Sequence, residues 1–426
     1  KYINKFIIFI VLISTGLMAQ TSTQPSNYGS STGLSNDPYF ISSINNLYWL
    51  SQTSADWDMH YEQTVDIDAS GTSSWDSNAG FTPIGNSATK FTGTYNGDDH
   101  TISNLFIDRS GTTYVGLFGY INSAEIQNLG LTDVNITGTQ YTGGLVGENY
   151  LATVSSCYST GSVTGTLLVG GLVGYNYASS EVNDSYSSVA VNGDQQVGGL
   201  VGHNSNNSEV NNSYSTGTVT GGSSVLIGGL IGWNHNSEVN NSYSTGAVTG
   251  KNECGGLLGR NESATVINSY STGSVTRNSG SSDTYFSGFT GQNYNGTITN
   301  CYSTGRVIYT GATDPTDKGF IGYYHSGTLT SNFWDTETSQ QSSSAGGTGK
   351  TTALMKTQST FTDAGWDFSN IWEISTNTYP FLNTASHLVI SGNDGFRMMS
   401  SPVAGAIYGD LLEELWTGGA TGADNT

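Results

Sequence analysis

Carboxylates, histidines and one glycine–lysine step are the residues of this sequence whose types could do covalent chemistry. Asp66, Asp68, Asp98, Asp99 and the Asp108-Arg109 pair gather near the start of the chain. A polysaccharide lyase or glycoside hydrolase built on a β-helix would use such aspartates, with working carboxylates about 5–10 Å apart. The local text reads first as turns: Asn96-Gly97-Asp98-Asp99-His100 suits a tight connection between strands, and Asp66 and Asp68 share one face of a strand. His60, His100, His203, His235, His325 and His387 are scattered, and none opens the two-histidine, one-glutamate motif of a zinc peptidase. Without a His/Cys cluster no transition-metal site is expected, and no cofactor. Gly349-Lys350-Thr351 imitates the end of a phosphate-binding loop, but Ser344 stands where that loop needs its first glycine. No acid/base set converges, so an enzyme is the minor expectation.

A second group of residues points to binding. Gly143-Gly144-Leu145-Val146-Gly147 returns every 27 to 32 residues, at 170–174, 198–202, 228–232 and 255–259, with degenerate forms at 116–119, 288–291 and 319–322. Between the last glycine of each motif and a following asparagine lies one variable position. It reads Glu148, Tyr175, His203, Trp233, Arg260, Gln292 and Tyr323. Fixed neighbours around a varying residue suggest that it faces solvent. Stacked one per coil, Tyr175, His203, Trp233 and Arg260 would form a stripe ~15 Å long. With Tyr323 they are the candidate ligand-binding residues, able to stack on sugar rings or anchor a protein partner.

The elements that must carry this stripe follow from the same period, which is the mark of a stacked repeat architecture. Aligned on the glycines, the repeats give apolar columns: Leu145, Leu172, Leu200, Leu230, Leu257, Phe289 and Phe320, then Val154, Val182, Val210, Val239, Val266, Ile298 and Leu329. An aromatic column follows (Tyr158, Tyr186, Tyr214, Tyr243, Tyr270, Tyr302, Phe333), then Val163, Val191, Val219, Val248, Val275 and Val307. Short β-branched and aromatic runs broken by Gly, Asn and Ser read as strands and turns. Asn149, Asn176, Asn204, Asn234, Asn261 and Asn293 form a structural ladder, because stacked asparagines hydrogen-bond along a column. A second polar column, Asp184, Asn212, Asn241, Asn268 and Asn300, suits the same role, and both columns suit coil corners. The expected fold is all-β, a right-handed parallel β-helix. Extra residues at 221–226, 277–285 and 309–317 fall at one place in the repeat, hence on one corner of the solenoid.

The Gly-Gly-Leu-Val-Gly and Asn-Ser-Tyr-Ser-Thr-Gly units resemble the GLUG repeat of bacterial surface proteins, over residues 113–335. That repeat is known from adhesins and from the non-catalytic part of IgA-specific metallopeptidases. Trp49-Leu50-Ser51, Asp66-Ile67-Asp68 and the run from Phe91 to Gly97 look like the lead-in common to such proteins. The resemblance implies a secreted or surface-attached β-solenoid, often adhesive, and supplies no catalytic residue here.

The ends and the composition complete the parse. Lys1, Lys5, the apolar run 6–13 and Leu17-Met18-Ala19 read as a signal peptide over 1–19, too short to span a membrane. A linker (20–35) leads to an N-terminal cap and first coils (36–112), with a short helix in 42–52 plugging the open sheet edge. The GLUG-repeat helix (113–335) is followed by a Ser/Gly-rich linker (336–349), a C-terminal cap (350–383), and a linker with the start of a further β module (384–426). Gly395-Phe396-Arg397-Met398-Met399 resembles such a module in Bacteroidetes-type surface proteins, and its brevity suggests more chain beyond Thr426. Only 11% of residues are charged and 57 are glycine, so the surface is dressed in Ser, Thr, Asn and Gly. Net charge −21 argues against nucleic acid and anionic membrane as partners and is compatible with bound Ca²⁺. Cys157 and Cys301 share a repeat position five coils apart, ~24 Å at strand spacing, so no disulfide is expected between them. Function is expected to be an adhesive or structural module outside the cell, attached through a region beyond this chain. Its expected partners are carbohydrate or a protein on a host or neighbouring cell. A β-helix carbohydrate enzyme and a passive spacer are the alternatives.

Overall fold

Each repeat closes one coil because its apolar side chains alternate with polar ones along short strands on three sheets, and only stacking buries them. In the computed structural model of the chain the described residues are 20–222, 226–279, 285–311 and 314–383. The signal-peptide and further-module expectations, at 1–19 and 384–426, lie outside them, as do the tips of the three corner insertions. The chain divides into two compact units, 1–352 and 353–426.

Among the described residues the first unit is a parallel β-helix with three sheets of 17, 16 and 7 strands. One coil shows the plan. Val146–Tyr150 and Thr153–Ser155 lie on the first sheet, Tyr158–Thr164 on the second and Leu167–Gly170 on the third. Register is strict: Val146 pairs with Val173, then Val201, Ile231, Leu258, Thr290 and Ile321. The leucine column from Leu145 to Leu257 and the Val154–Val266 column are fully buried, and Phe289 stacks on Phe320 at 4.4 Å. The glycines permit backbone contact between coils. A Cβ on Gly144 would stand 2.4 Å from the Gly171 carbonyl oxygen, closer than any side chain tolerates.

The two asparagine columns solve different problems. Asp184, Asn212, Asn241, Asn268 and Asn300 sit at a corner with φ of 48–54°, the left-handed geometry that Asn accepts, and their side chains hydrogen-bond from coil to coil. The Asn149–Asn293 column is not at a corner, contrary to the sequence reading. It lies inside strands, fully buried, and each Nδ2 donates to the next Oδ1 at 2.7–3.0 Å. All its dipoles point one way.

The N-terminal helix α1 (Ile44–Gln52) starts at Ser43, whose hydroxyl accepts from the Asn46 amide. Ile44, Leu47, Trp49 and Leu50 join the same apolar cluster as the coils. Residues 336–349 are no linker. Ser339 and Gln341 are buried, Gln341 accepts from the Lys318 amide, and Thr348–Lys350 adds a parallel strand to Phe333–Asp335. The polar composition that suggests a linker instead supplies hydrogen-bonding side chains to the last coil. The second unit is small: short helices α2 (Thr352–Met355, starting on the last residue of the first unit) and α3 (Gln358–Thr362), an antiparallel pair at Trp372–Glu373 and Phe381–Leu382, and a core of Phe361, Trp366 and Trp372.

Candidate functional site

The structure ties the catalytic candidates into turns and strand ends. Asp66 accepts from the Thr101 amide and stands 3.4 Å from His100. Asp68 is held below the ordinary carboxylate range, first by the Ser70 amide, and also bonds Asn104. Asp98 and Asp99 occupy the expected turn, with φ of 47° and 62°. Arg109 is spent on structure, bonding Asp76, Thr82 and the carbonyls of Gly80 and Phe81. Lys350 lies over the Phe333 ring at 5.5 Å, within a strand rather than a phosphate loop. Among the described residues no group of three His, Cys, Asp or Glu is placed to hold a metal. The three cysteines are free and buried.

The variable position does form one column, Glu148 to Tyr323, paired coil by coil. It does not simply face solvent, which corrects the sequence reading. Glu148, His203 and Gln292 are 6%, 7% and 5% exposed, whereas Tyr175, Trp233, Arg260 and Tyr323 are half-buried. Two neighbouring columns cover them. On one side stand Tyr114, Tyr141, Leu168, Gln196, Leu226 and Glu253, all with φ between 46° and 77°, in the third sheet or beside its strands. That left-handed backbone turns side chains outward beside the stripe. On the other side stand Tyr150, Tyr177, His235 and Tyr294.

The result is an aromatic band running over several coils. Ring centroids lie 5.0 Å apart for Tyr175–His203, 4.4 Å for His203–Trp233 and 5.0 Å for Trp233–His235, with planes within 29°. Tyr141 and Tyr177 extend it from Tyr175, and Tyr114 and Tyr120 continue it from Tyr141. Because the rings stack along the helix axis, their faces meet each other and mostly edges face outward. Burial drives His203 down to about 3, with His235 a second cause, so its imidazole is neutral. Arg260 is held by Glu253 and Glu262, each at 3.3 Å, and by Gln292 at 2.6 Å. Tyr323 stacks on Tyr285. The stripe therefore breaks into an aromatic stretch, an ionic knot and a second aromatic pair. Sequence reasoning missed the flanking columns, although each lies two residues from a position it had aligned.

On the second sheet six tyrosines, Tyr158 to Tyr302, stack at 4.7–5.0 Å with planes within 7°. They clad the scaffold and leave no open ring face between coils.

Comparison with known proteins fits this geometry. The family described as the GLUG motif matches residues 138–164, 165–192, 193–220, 223–249 and 288–308. The coil between the last two matches keeps the same register, with Leu258–Glu262 paired on both sides. The chain is 40% identical over 136 residues to "Halomucin" of Haloquadratum walsbyi, which is 30% of this chain and 2% of that protein. It is 49% identical over 59 residues to a "Putative Gly-rich membrane protein" of Evansella cellulosilytica, 14% of this chain and 7% of that protein. The chain thus spans a small part of the curated relatives it matches. Five stretches of this chain between residues 138 and 308 thus match the GLUG-motif repeat.

Proposed function

We propose that this chain is the rod of a surface-associated repeat protein that works by presenting an extended face to a partner outside the cell. The observation that carries this reading is the aromatic band, in which half-buried Tyr175, Trp233 and His235 surround a covered His203 at positions the scaffold leaves free to vary. Weak contacts repeated along a rigid rod gain strength by multivalency. The names of the two relatives, a halomucin and a Gly-rich membrane protein, support a surface location. No helix of the described residues is long and apolar enough to cross a membrane. The partner is a surface protein or a carbohydrate that meets ring edges and hydroxyls rather than open ring faces.

The stacking favours one second reading, a passive spacer, since rings that satisfy each other also stiffen a rod. Asp66 and Asp68 accept structural hydrogen bonds and Arg109 is held by Asp76, which gives no support to a carbohydrate-active enzyme. A glycan and cell-surface protein array probed with wild type and Trp233→Ala separates these readings. Adhesion through the band requires wild-type binding and its loss in the variant. Equal binding by both removes the band, and no binding by either favours the spacer. Turnover of a polysaccharide by the purified rod would revive the enzyme.

A further inference from the structure

Beside the N-terminal helix the first coils leave a hollow of about 360 Å³. Two segments far apart in the chain line it: the 3-10 turn Ser54–Asp56 with Trp57 and Asp58 behind it, and the loop from Ala88 to Lys90. Asn122, at the end of the strand Phe118–Asn122, completes the lining. Backbone bonds fix both segments. The Trp57 carbonyl accepts from the Thr92 and Gly93 amides at 2.8 and 2.9 Å, and its indole donates to the Leu50 carbonyl at 2.7 Å. Asn86 Oδ1 accepts from the Ala88 and Thr89 amides at 2.9 and 3.1 Å.

The hollow is marked by unspent polar groups. In the asparagine columns side chains bond from coil to coil. Here, among the described residues, the side chains of Ser54, Asp58 and Thr89 make no hydrogen bond or ion pair. Asn122 Oδ1 accepts from Ser123, which leaves its Nδ2 protons over. Lys90 gives one proton to the Ser87 carbonyl at 2.6 Å and keeps two. Asp58 and Lys90 line the same space, yet their charged atoms stay more than 4.0 Å apart.

We infer that this hollow binds one neutral sugar residue. A sugar ring carries hydroxyls that each donate and accept. The lining supplies an acceptor at Asp58, donors at Lys90 and Asn122, and hydroxyls at Ser54 and Thr89 that serve as either. The volume lies at the lower end of small-molecule sites, about 300–1,000 Å³, as one ring requires. Other ligand classes fit less well. Asp58 opposes an anion and Lys90 a cation, while Trp57 is buried and only Ala55 and Ala88 offer exposed apolar residues. The hollow is separate from the aromatic band, since Trp233 stands four coils along the first sheet from the strand carrying Asn122.

The sugar is either free or the end of a glycan, and two sets of probes distinguish these sources. Glucose, galactose, mannose and N-acetylglucosamine, each free and as its methyl glycoside, are titrated into the full chain by saturation-transfer NMR, with glucuronate as the charged comparison. At least one neutral sugar should bind saturably on the order of 1 mM, and more tightly than glucuronate. Asp58→Ala should weaken that binding at least ~10-fold, the loss of a charged hydrogen bond. Ala88→Trp fills the hollow from an exposed loop position and should abolish it, whereas Trp233→Ala should leave it unchanged. Circular dichroism checks that each variant is folded. Binding of a methyl glycoside supports a linked residue, and binding of free sugar alone supports a free one. The inference is overturned if no neutral sugar binds, if glucuronate binds equally, or if folded Asp58→Ala or Ala88→Trp keeps full affinity.

Discussion

Replacing Asn234 by alanine tests whether the buried ladder is a directional hydrogen-bond chain. Asn234 accepts from Asn204 Nδ2 and donates to Asn261 Oδ1, both at 3.0 Å, and all three residues are fully buried. The upstream donor keeps the carbonyls of Ser208 and Glu238 as partners. The downstream acceptor keeps no other side-chain donor. The cost is then one ordinary hydrogen bond plus one orphaned buried acceptor, together about 2–4 kcal/mol. Asn149 is the internal control. The preceding coil carries Ile121 at that position, so Asn149 Oδ1 already lacks a donor. Asn149→Ala also orphans its downstream acceptor but breaks no upstream bond and removes an existing unpaired oxygen. It should cost about 1 kcal/mol, roughly 2 kcal/mol less than Asn234→Ala. Urea titrations followed by circular dichroism measure both, and coincident tyrosine fluorescence checks that each unfolds cooperatively, which long repeat arrays do not guarantee. Equal costs within about 0.5 kcal/mol would refute the directional accounting.

Two further outcomes follow from burial. Burial pushes the Glu148 carboxyl up to about 7, opposed by a hydrogen bond from Tyr120 and then by Lys90. Between the unfolded value near 4.5 and about 7 the folded state holds a proton that the unfolded chain has released, so stability falls as pH rises through that window and levels above it. The fall is about 3 kcal/mol at most, Glu148→Gln should abolish it, and an unchanged pH slope in the variant's urea midpoints would count against the assignment. Burial also pushes the Cys157 and Cys254 thiols up to about 12 and raises Cys301. A chromogenic disulfide reagent at pH 8 should label none of the three until denaturant is added, and prompt labelling of the native protein would contradict their burial.

The coil architecture was legible because a solenoid repeats its interior. Leu145, Val154 and Val163 occupy the same three slots in coil after coil, so the spacing of identical residues carries the strand order and register directly. The resemblance carried by the glycine motif led to the GLUG repeats for the same reason. The segment 336–349 was misread because Ser and Gln signal a linker by composition, whereas Ser339, Gln341 and Ser344 satisfy backbone groups of the final coil.

Sequence alone determined the period, the buried columns, the left-handed Asn corner and the single variable position of the motif, since each depends on local spacing. It could not determine what lies beside that position. Tyr141 and Glu148 belong to different sheets, and Tyr120 and Tyr150 to different coils. Only folding brings them together. That meeting turns a row of varying residues into three environments: a shared aromatic stack at His203, an ionic knot at Arg260 and a covered carboxylate at Glu148. Exposure depends on neighbours across sheets, and the motif's spacing holds no record of them.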